Sequence, residues 1–313
     1  MSKISSEKFK WVGSNPYARE GVTGKSLNFW QDAFGRFRKN KISMACGVFI
    51  ILLIVAVIVL PMISPFDIRE QHYGHVNCGL FTTCDQIDGA VHIFGTDSLG
   101  RDLWSRLWEG GRVSLIIAFS AVAINFIVGV IYGGIAGYFG GTTDIIMMRI
   151  VEIISGIPYL LIIVLLMLVL SQGIVTIIIA YATVGWTGMA RLIRGQIFIL
   201  KEQEYVVAAK SMGGSPARII SRHLLPNTLS VAIVNITLSI PGAIFTEAWL
   251  SYLGLGVPVP NSSWGMLCSA GQQVFRFYPV QMAVPAIALC LTMLAFNLLG
   301  DGLRDSFDPK LRR

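Results

Sequence analysis

Residues 44–63 form the run MACGVFIILLIVAVIVLPMI, which contains no charged, hydroxyl or amide side chain. A helix rises 1.5 Å per residue, so about 20 apolar residues cross the ~30 Å hydrocarbon core of a bilayer. Apolar blocks of similar length recur along the chain, and they predict an all-α, polytopic membrane protein with six transmembrane helices. The predicted spans are approximately 44–63, 115–136, 149–170, 174–195, 229–249 and 279–300.

The composition also favours a membrane protein over a soluble one. Of the 313 residues, 54% are hydrophobic and only 14% are charged, with a mean hydropathy of +0.64. A soluble domain carries about 25% charged residues. The deficit of charge therefore excludes an ordinary soluble domain.

The net charge of +7 follows membrane topology, and no nucleic-acid partner is predicted. Lys and Arg collect in loops that stay in the cytoplasm. Residues 1–41 hold nine Lys and Arg against three acids, residues 191–226 hold six against two, and residues 64–113 hold four against seven. The loops 64–113 and 250–278 are therefore predicted outside and the loop 196–228 inside, and six crossings place both termini in the cytoplasm.

The N-terminal segment 1–43 contains a predicted amphipathic helix ahead of the six-span domain, residues 44–313. Leu27, Trp30, Phe34 and Phe37 recur there at helical spacing among charged residues. This spacing is typical of a helix in the membrane interface, in contact with lipid. A helix packed on the protein's own cytoplasmic face would show the same pattern, and both interpretations stay open.

Two patterns within the spans predict how the helices interact. Small residues allow close helix approach in lipid, so the series Gly129, Gly133, Gly137 and Gly141 predicts a packed seam, either with a partner subunit or, preferentially, with the chain's own spans. Charged residues within the spans are few. Arg149 and Glu152, three residues apart, predict an ion pair.

No nucleotide site or enzymatic centre is predicted. Gly24-Lys25-Ser26 resembles the end of a P-loop, but Arg19 stands where the first glycine is required and no buried strand precedes it. None of the four histidines shares a nucleophile motif with a Ser or Cys. If transport is driven by ATP, a separate polypeptide must hydrolyse it.

Four residues of the outside loop are metal-ligand types: His72, His75, Cys78 and Cys84. Their spacing fits no closed zinc site, so no metal is predicted. Cys78 and Cys84 would form a disulfide in an oxidising compartment or stay unpaired, and their redox state is open.

Two further stretches stand out. Residues 204–227, EYVVAAKSMGGSPARIISRHLLPN, predict two short helices hinged at residues 213–216, and a polar helix pair in a membrane chain typically contacts another protein. Residues 94–115, FGTDSLGRDLWSRLWEGGRVSL, predict an outer-surface helix leading into the second span. Thr96 or Asp97 would cap that helix, and Asp102 with Arg106 would pair at i, i+4.

Several motifs together resemble the permeases of ABC importers of the oligopeptide, dipeptide and nickel family. They extend from about residue 27 to the C-terminus, and the likeness is greatest to the C-type subunit of oligopeptide permeases. The matching residues are Gly95, Thr96, Asp97, Gly100, Arg101, Asp102, Ser105, Arg106, Gly111, Arg112 and Ser114, the segments 250–256, 263–265 and 297–305, and Asp308-Pro309.

The same resemblance identifies residues 196–228 as the loop that couples the permease to its ATPase. The coupling residues it implies are Glu204, Ala208, Ala209, Gly213, Arg218, His223, Leu225 and Pro226. Two positions depart from the family pattern: Val207 stands where an acid usually precedes the Ala pair, and His223 where Ile is common. Glu204, one helical turn before the Ala pair, is the candidate replacement for the acid.

The resemblance implies a type I ABC-importer permease in a bacterial inner membrane. It would form a heterodimer with a homologous second permease and assemble with two ATPase subunits, which bind ATP and Mg, so no cofactor is expected in this chain. An external solute-binding protein would deliver an oligopeptide, and Gly95, Thr96, Asp97, Gly100, Arg101, Asp102 and Arg106 would help to dock it. A dipeptide or nickel permease, an ion-coupled secondary carrier and a membrane scaffold are the alternatives.

Overall fold

The computed structural model describes residues 29–84, 89–258 and 260–307, and within them the chain is almost entirely helical. Leu27, the segment 1–28 and Asp308-Pro309 lie outside the described residues. The elements are α1 Phe29–Lys39, α2 Lys41–Ile63, β1 Thr82–Thr83, β2 Val91–His92, α3 Leu103–Phe139, α4 Gly141–Gly156, α5 Tyr159–Leu170, α6 Ile174–Val184, α7 Trp186–Leu200, α8 Glu204–Ser211, α9 Pro216–Ile219, a π-helical turn Ile220–Leu224, α10 Leu225–Tyr252, α11 Trp264–Gln273 and α12 Val280–Phe307.

Five helical segments of the described chain are long and apolar enough to cross a membrane. They contain five of the six predicted spans, and they are Lys41–Ile63, Leu103–Phe139, Ile174–Leu200, Pro216–Tyr252 and Val280–Phe307. The third predicted span, 149–170, is divided between α4 and α5, which meet at a bend of 79°; counted as one bent span, the pair makes the sixth. Ile157 is extended there (φ −81°, ψ 125°), as expected for a residue that precedes proline, here Pro158.

The glycine seam of the second span packs against the chain's own α7, as preferred from the sequence. A Cβ at Gly133 would lie 2.3 Å from the carbonyl oxygen of Ala190, and one at Gly129 would lie 2.6 Å from Cβ of Met189. Gly137 approaches Ile197 in the same way, whereas the space around Gly141 is open. The glycines therefore let the two helix backbones approach each other more closely than any larger residue would allow.

The main core lies where α2, α3, α10 and α12 meet. Apolar side chains from all four helices pack there, including Val57, Ala118, Ile244 and Phe296. This arrangement places the N-terminal part of α3 beside the C-terminal part of α10. At the other end of α3, Gly134 lies next to Leu225 at the start of α10.

Helix α1 packs on the C-terminal end of α12. Ala33 is buried, and the Trp30 and Phe307 rings meet edge to face at 5.7 Å. Trp30 and Phe34 are nevertheless 45% and 60% exposed. Packing on the protein itself is thus confirmed for one face of the helix, and contact of the exposed aromatic rings with lipid stays a prediction.

The segment between α2 and α3 is folded onto the ends of the helices. Its β1 and β2 form a two-stranded antiparallel hairpin, with Thr82 opposite His92. Cys78 and Cys84 are both free cysteines in this structure, and the disulfide considered from the sequence stays a prediction for an oxidising compartment. Cys84 is instead packed with Phe66 and Ala90.

Candidate functional site

The helix pair predicted in residues 204–226 is present, hinged where the sequence indicated. Helices α8 and α9 are joined by a turn in which Gly213 has a φ of +79°. A side chain is disfavoured at that backbone angle, so the turn needs glycine. Ser215 then caps α9, accepting a hydrogen bond from the backbone N–H of Arg218 (3.4 Å).

One face of the 204–226 helix pair is buried and the other is open. Val206 packs with Ile219 and Leu224 against α3 and α7. On the open side, Tyr205 and Met212 are 42% and 82% exposed. A groove of about 610 Å³ runs along this side, lined by Tyr205, Ala209, Met212, Gly213, Gly214, Ser215, Arg218, Ile219, Arg222 and His223. Its lining includes the apolar Met212 and the cationic Arg218 and Arg222.

The remaining coupling residues fall on both sides of the helix pair. Glu204, which begins α8, Ala208 and Arg218 are exposed. Ala209 is buried, and its carbonyl oxygen accepts a hydrogen bond from the N–H of Gly214 (3.1 Å). Ala208 is thus exposed and Ala209 lines the groove, and the interaction of the two alanines with an ATPase stays a prediction.

A π-helical turn connects the helix pair to α10. His223 lies in it, and its carbonyl oxygen accepts a hydrogen bond from Nδ2 of Asn227 (2.6 Å). Such turns within helices are frequent at functional sites. Leu225 and Pro226 follow directly in the first turn of α10.

The motif at residues 95–106 is buried rather than displayed. Asp97 is 6% exposed and is held by two arginines: Arg101 donates from Nε (2.8 Å) and Nη2 (2.7 Å), and Arg106 donates from Nη1. Arg101 and Arg106 are 7% and 1% exposed. Their side chains form no outer surface in this structure, so the docking role assigned to them from the sequence lacks the exposure that direct contact requires.

The helix cap and the ion pair predicted in this motif are both corrected. Asp102, not Thr96 or Asp97, caps α3, accepting from the N–H of Ser105 (2.8 Å), and its second oxygen lies 2.9 Å from Nδ1 of the buried His92. Arg106 pairs with Asp97 instead of Asp102. The loop folds back over the helix start, and this brings Asp97 nearer to the guanidinium than the residue one turn away.

The glycines and the threonine of the motif hold this loop against its neighbours. Gly95 and Gly100 have φ of +77° and +72°, and a Cβ at Gly100 would lie 2.3 Å from the carbonyl oxygen of His72. Thr96 donates its hydroxyl to the carbonyl of His75, and its own carbonyl accepts from Nε2 of Gln281 on α12 (3.0 Å). The motif therefore joins the outer loop to α3 and α12.

Some His and Cys side chains of the loop lie near one another. Cys78 Sγ lies 3.9 Å from Nδ1 of His75, and the rings of His72 and His92 have centroids 5.6 Å apart. Throughout residues 29–84, 89–258 and 260–307, no group of three or more His, Cys, Asp or Glu side chains is arranged to hold a metal ion.

Sequence reasoning missed Glu247, a buried acid within the fifth predicted span. Its carboxylate accepts from the hydroxyls of Ser114 on α3 (2.9 Å) and Ser251 on α10 (2.8 Å). Ser114 in turn accepts from the N–H of Trp264, whose indole N–H donates to the carbonyl of Leu107 (2.9 Å). The sequence did contain a signal, which is that Glu247 is an acid within the apolar span 229–249. An acid inside a membrane costs free energy unless it has bonding partners, so such a residue should have prompted a search for them.

Comparisons with known proteins agree with this architecture. Residues 127–313 match the family model described as "Binding-protein-dependent transport system inner membrane component", and residues 28–79 match the "N-terminal TM domain of oligopeptide transport permease C". An inward-facing structure of the MetNI methionine ABC transporter has a TM-score of 0.51 at 19% identity, covering 63% of this chain and 94% of that one. That likeness concerns the fold alone.

Curated relatives match over most or all of their length. The chain is 44% identical over 313 residues, all of both chains, to the oligopeptide transport system permease protein OppC of Bacillus subtilis (strain 168). It is 46% identical over 296 residues to the dipeptide transport system permease protein DppC of that strain, which covers 94% of this chain and 90% of the relative. A glutathione transport system permease protein GsiD of Escherichia coli O6:K15:H31 is 38% identical, covering 90% of this chain and 91% of the relative.

The fold and the family matches define a multi-pass inner-membrane permease subunit of the type I ABC-importer class. This chain belongs to the family of inner membrane components of binding-protein-dependent transport systems, among the oligopeptide and dipeptide permeases. Membership of this family replaces the secondary carrier and the membrane scaffold considered from the sequence.

Proposed function

We propose that this permease imports oligopeptides as one half of a heterodimer with a homologous second permease. The observation that carries the proposal is the match along the whole chain to an oligopeptide permease, together with the match of residues 28–79 to a model named for the N-terminal domain of oligopeptide transport permease C. A dipeptide cargo is the second candidate, because a dipeptide permease is similarly close at 46% identity.

In this proposal two separate ATPase subunits bind ATP and Mg and act on the 204–226 helix pair. The groove of this pair is lined by the apolar side chain of Met212 and by the cationic side chains of Arg218 and Arg222, among others. Since α10 follows the pair directly and has 28 residues, a displacement of the pair is carried through about 42 Å of helix. Glu247 lies near the far end of α10, hydrogen-bonded to α3, so this lever connects the ATPase surface to the opposite end of the bundle.

The proposed orientation places the helix pair and both termini in the cytoplasm, and the segment between α2 and α3 outside. An external binding protein delivers the peptide on that outer side. Because the 95–106 motif is buried, we assign it the role of shaping the outer surface, and contacts to the binding protein fall to exposed residues such as Tyr73 and Phe81.

The proposal is tested by purifying the tagged chain in mild detergent and reconstituting whatever copurifies. We expect a second six-span permease and P-loop ATPases, and ATP-dependent accumulation of peptides longer than two residues when a binding protein is supplied. Accumulation of dipeptides alone would favour the second candidate. Recovery of the chain alone, from an extraction that preserves known ABC complexes, would contradict the proposed assembly.

A further inference from the structure

Polar and small residues occupy the middle of three predicted spans. Asn125 lies at the centre of span 115–136, Gly185 at the centre of span 174–195 and Ser239 at the centre of span 229–249. The centre of a bilayer is where a polar group is most costly, and polar groups there usually face a cavity or another helix. Because all three lie at the same predicted depth, they are expected to face a common cavity or helix contact.

The three positions meet around one cavity. It has a volume of about 260 Å³ and lies between α3, the α6–α7 junction and α10, lined in part by Asn125, Tyr181, Gly185, Asn235 and Ser239. A Cβ at Gly185 would lie 2.1 Å from the carboxamide nitrogen of Asn125. The carboxamide of Asn125 therefore fits here because residue 185 is a glycine and has no Cβ.

Asn125 is buried there without its full set of hydrogen bonds. Its side chain is 8% exposed, and within the described part of the chain its Oδ1 has no hydrogen-bond partner. Leaving a buried acceptor unpaired destabilises a folded protein. Most buried polar groups are paired, so an unpaired one on a residue that lines a cavity calls for an explanation by function.

The chemistry of the lining indicates the kind of ligand. Carboxamides, a hydroxyl and a phenol donate and accept hydrogen bonds but carry no charge at neutral pH. Such groups match the N–H and C=O of a peptide bond and do not compensate a charged side chain. A complete ligand pocket usually has about 300–1,000 Å³, so a cavity of 260 Å³ holds only a part of a peptide.

We propose that this cavity is a subsite of the translocation path, in which Asn125 hydrogen-bonds the backbone amides of a passing peptide whatever its side chains. The inference rests on the proposed function and adds to it a place and a means of recognition. It also accounts for tolerance of different peptide sequences, because only the repeating backbone is read.

The test replaces Asn125 by leucine in the full importer complex, reconstituted with its partners and binding protein. The matched control is Thr237→Val, which removes a buried hydroxyl of α10 that is already bonded to the carbonyl of Ile233 (3.0 Å). Three quantities are compared: peptide uptake, binding-protein-stimulated ATP hydrolysis and thermal stability. Uptake is measured for peptides rich in alanine, in lysine and in glutamate.

We expect Asn125→Leu to lower uptake of all three peptides by roughly tenfold or more, which corresponds to about 1.4 kcal/mol. ATP hydrolysis and thermal stability are expected to stay at wild-type levels, since an apolar group replaces an unpaired polar one. Thr237→Val is expected to transport normally. If Asn125→Leu does not assemble, Asn235→Leu provides the same comparison on α10.

Wild-type uptake by Asn125→Leu would overturn the subsite, and so would a loss limited to one class of peptide side chain. A fall in stability that matches the fall in uptake would also overturn it, because Asn125 would then have a structural role. Failure of the wild-type complex to accumulate any peptide would instead refute the proposed function, and with it the peptide as occupant.

Discussion

The 95–106 motif and the 204–226 helix pair lie near opposite ends of α3 and are built in opposite ways. In the motif, Asp97 and Arg106 are 6% and 1% exposed, and their charges are bonded to each other. In the helix pair, Met212 is 82% exposed beside a groove of about 610 Å³. In the 95–106 motif the polar groups bond to each other within the fold. In the 204–226 helix pair an exposed surface remains for a partner.

Both regions attract attention in the sequence by the same kind of signal, which is a set of residue types at family-like spacing. Burial separates them. In a buried, internally paired motif each charge needs its partner, because removing one leaves the other uncompensated. An exposed helix pair beside an open groove is instead available for binding. The two regions are therefore expected to respond differently to substitution.

The largest effect is expected from Asp97→Ala. It leaves Arg101 and Arg106 buried without their shared carboxylate, and breaking a buried ion pair costs about 3–5 kcal/mol. Membrane abundance and the apparent midpoint of thermal unfolding should both fall. The matched control is Arg112→Ala, which removes a half-exposed partner of Glu109 and should cost less than about 1 kcal/mol.

Equal stability of Asp97→Ala and Arg112→Ala would remove the distinction between the two regions. A normal abundance of Asp97→Ala with weaker affinity for the binding protein would restore the direct docking role that the sequence suggested.

Gly213→Trp is expected to abolish coupling while leaving the spans folded. A non-glycine residue at a φ of +79° costs about 1–2 kcal/mol locally, and the ring would project from the exposed turn, where no atom lies within 4 Å of a Cβ. Uptake should be lost at normal membrane abundance, with ATP hydrolysis no longer linked to transport. Gly213→Asn is the matched comparison, because Asn tolerates this backbone angle.

Normal uptake by Gly213→Trp at normal abundance would refute the role of the turn. A defect in Gly213→Asn as large as in Gly213→Trp would show that the turn tolerates no side chain at all and that its backbone angle is not the deciding factor.

Glu247→Ala is expected to lower stability less than Asp97→Ala does. It removes the acceptor of the Ser114 and Ser251 hydroxyls, at a cost of about 1–3 kcal/mol for buried donors left unpaired. Glu247→Gln keeps one acceptor oxygen and should be milder. Thr246→Ala is the neighbouring control, since that hydroxyl donates to the carbonyl of Gly242 and takes no part in the hydrogen bonds that join Glu247 to Ser114 and Ser251. The midpoints of thermal unfolding of the three variants would rank their stability. A wild-type midpoint for Glu247→Ala would contradict the structural role of Glu247.

The smallest effect is expected from Arg149→Ala. Its ion pair with Glu152 is formed at 2.7 Å as the sequence predicted, but the two side chains are 70% and 57% exposed. Exposed pairs contribute about 0–1 kcal/mol, so stability should change little. A large loss of uptake without loss of stability would mean that this pair contacts a partner subunit.

Hydropathy was sufficient to locate the spans, because apolar blocks of about 20 residues leave few alternatives in a bilayer. The bend at Pro158 could have been predicted, because a proline within an apolar segment interrupts the hydrogen bonds of the helix. The angle of the bend depends on packing and could not. The glycines of α3 showed that a close contact exists, and the structure identified α7 as the partner.

Contacts between distant parts of the chain could not be obtained from spacing. Asp97 reaches Arg106 because the loop returns over the start of α3, and Glu247 meets a serine 133 residues away. Asn125 at mid-span was visible in the sequence, yet only the structure places it against Gly185 and Ser239 in one cavity.

The central claim is that the 204–226 helix pair receives the ATPase subunits, and a photo-crosslinking amino acid at position 212 tests it most directly. The same amino acid at Tyr73, which is 80% exposed in the segment between α2 and α3, is the comparison. Irradiation of the purified complex should attach position 212 to a P-loop ATPase and never position 73. An ATPase adduct at position 73, or none at position 212 in a complex that contains the ATPases, would contradict the account.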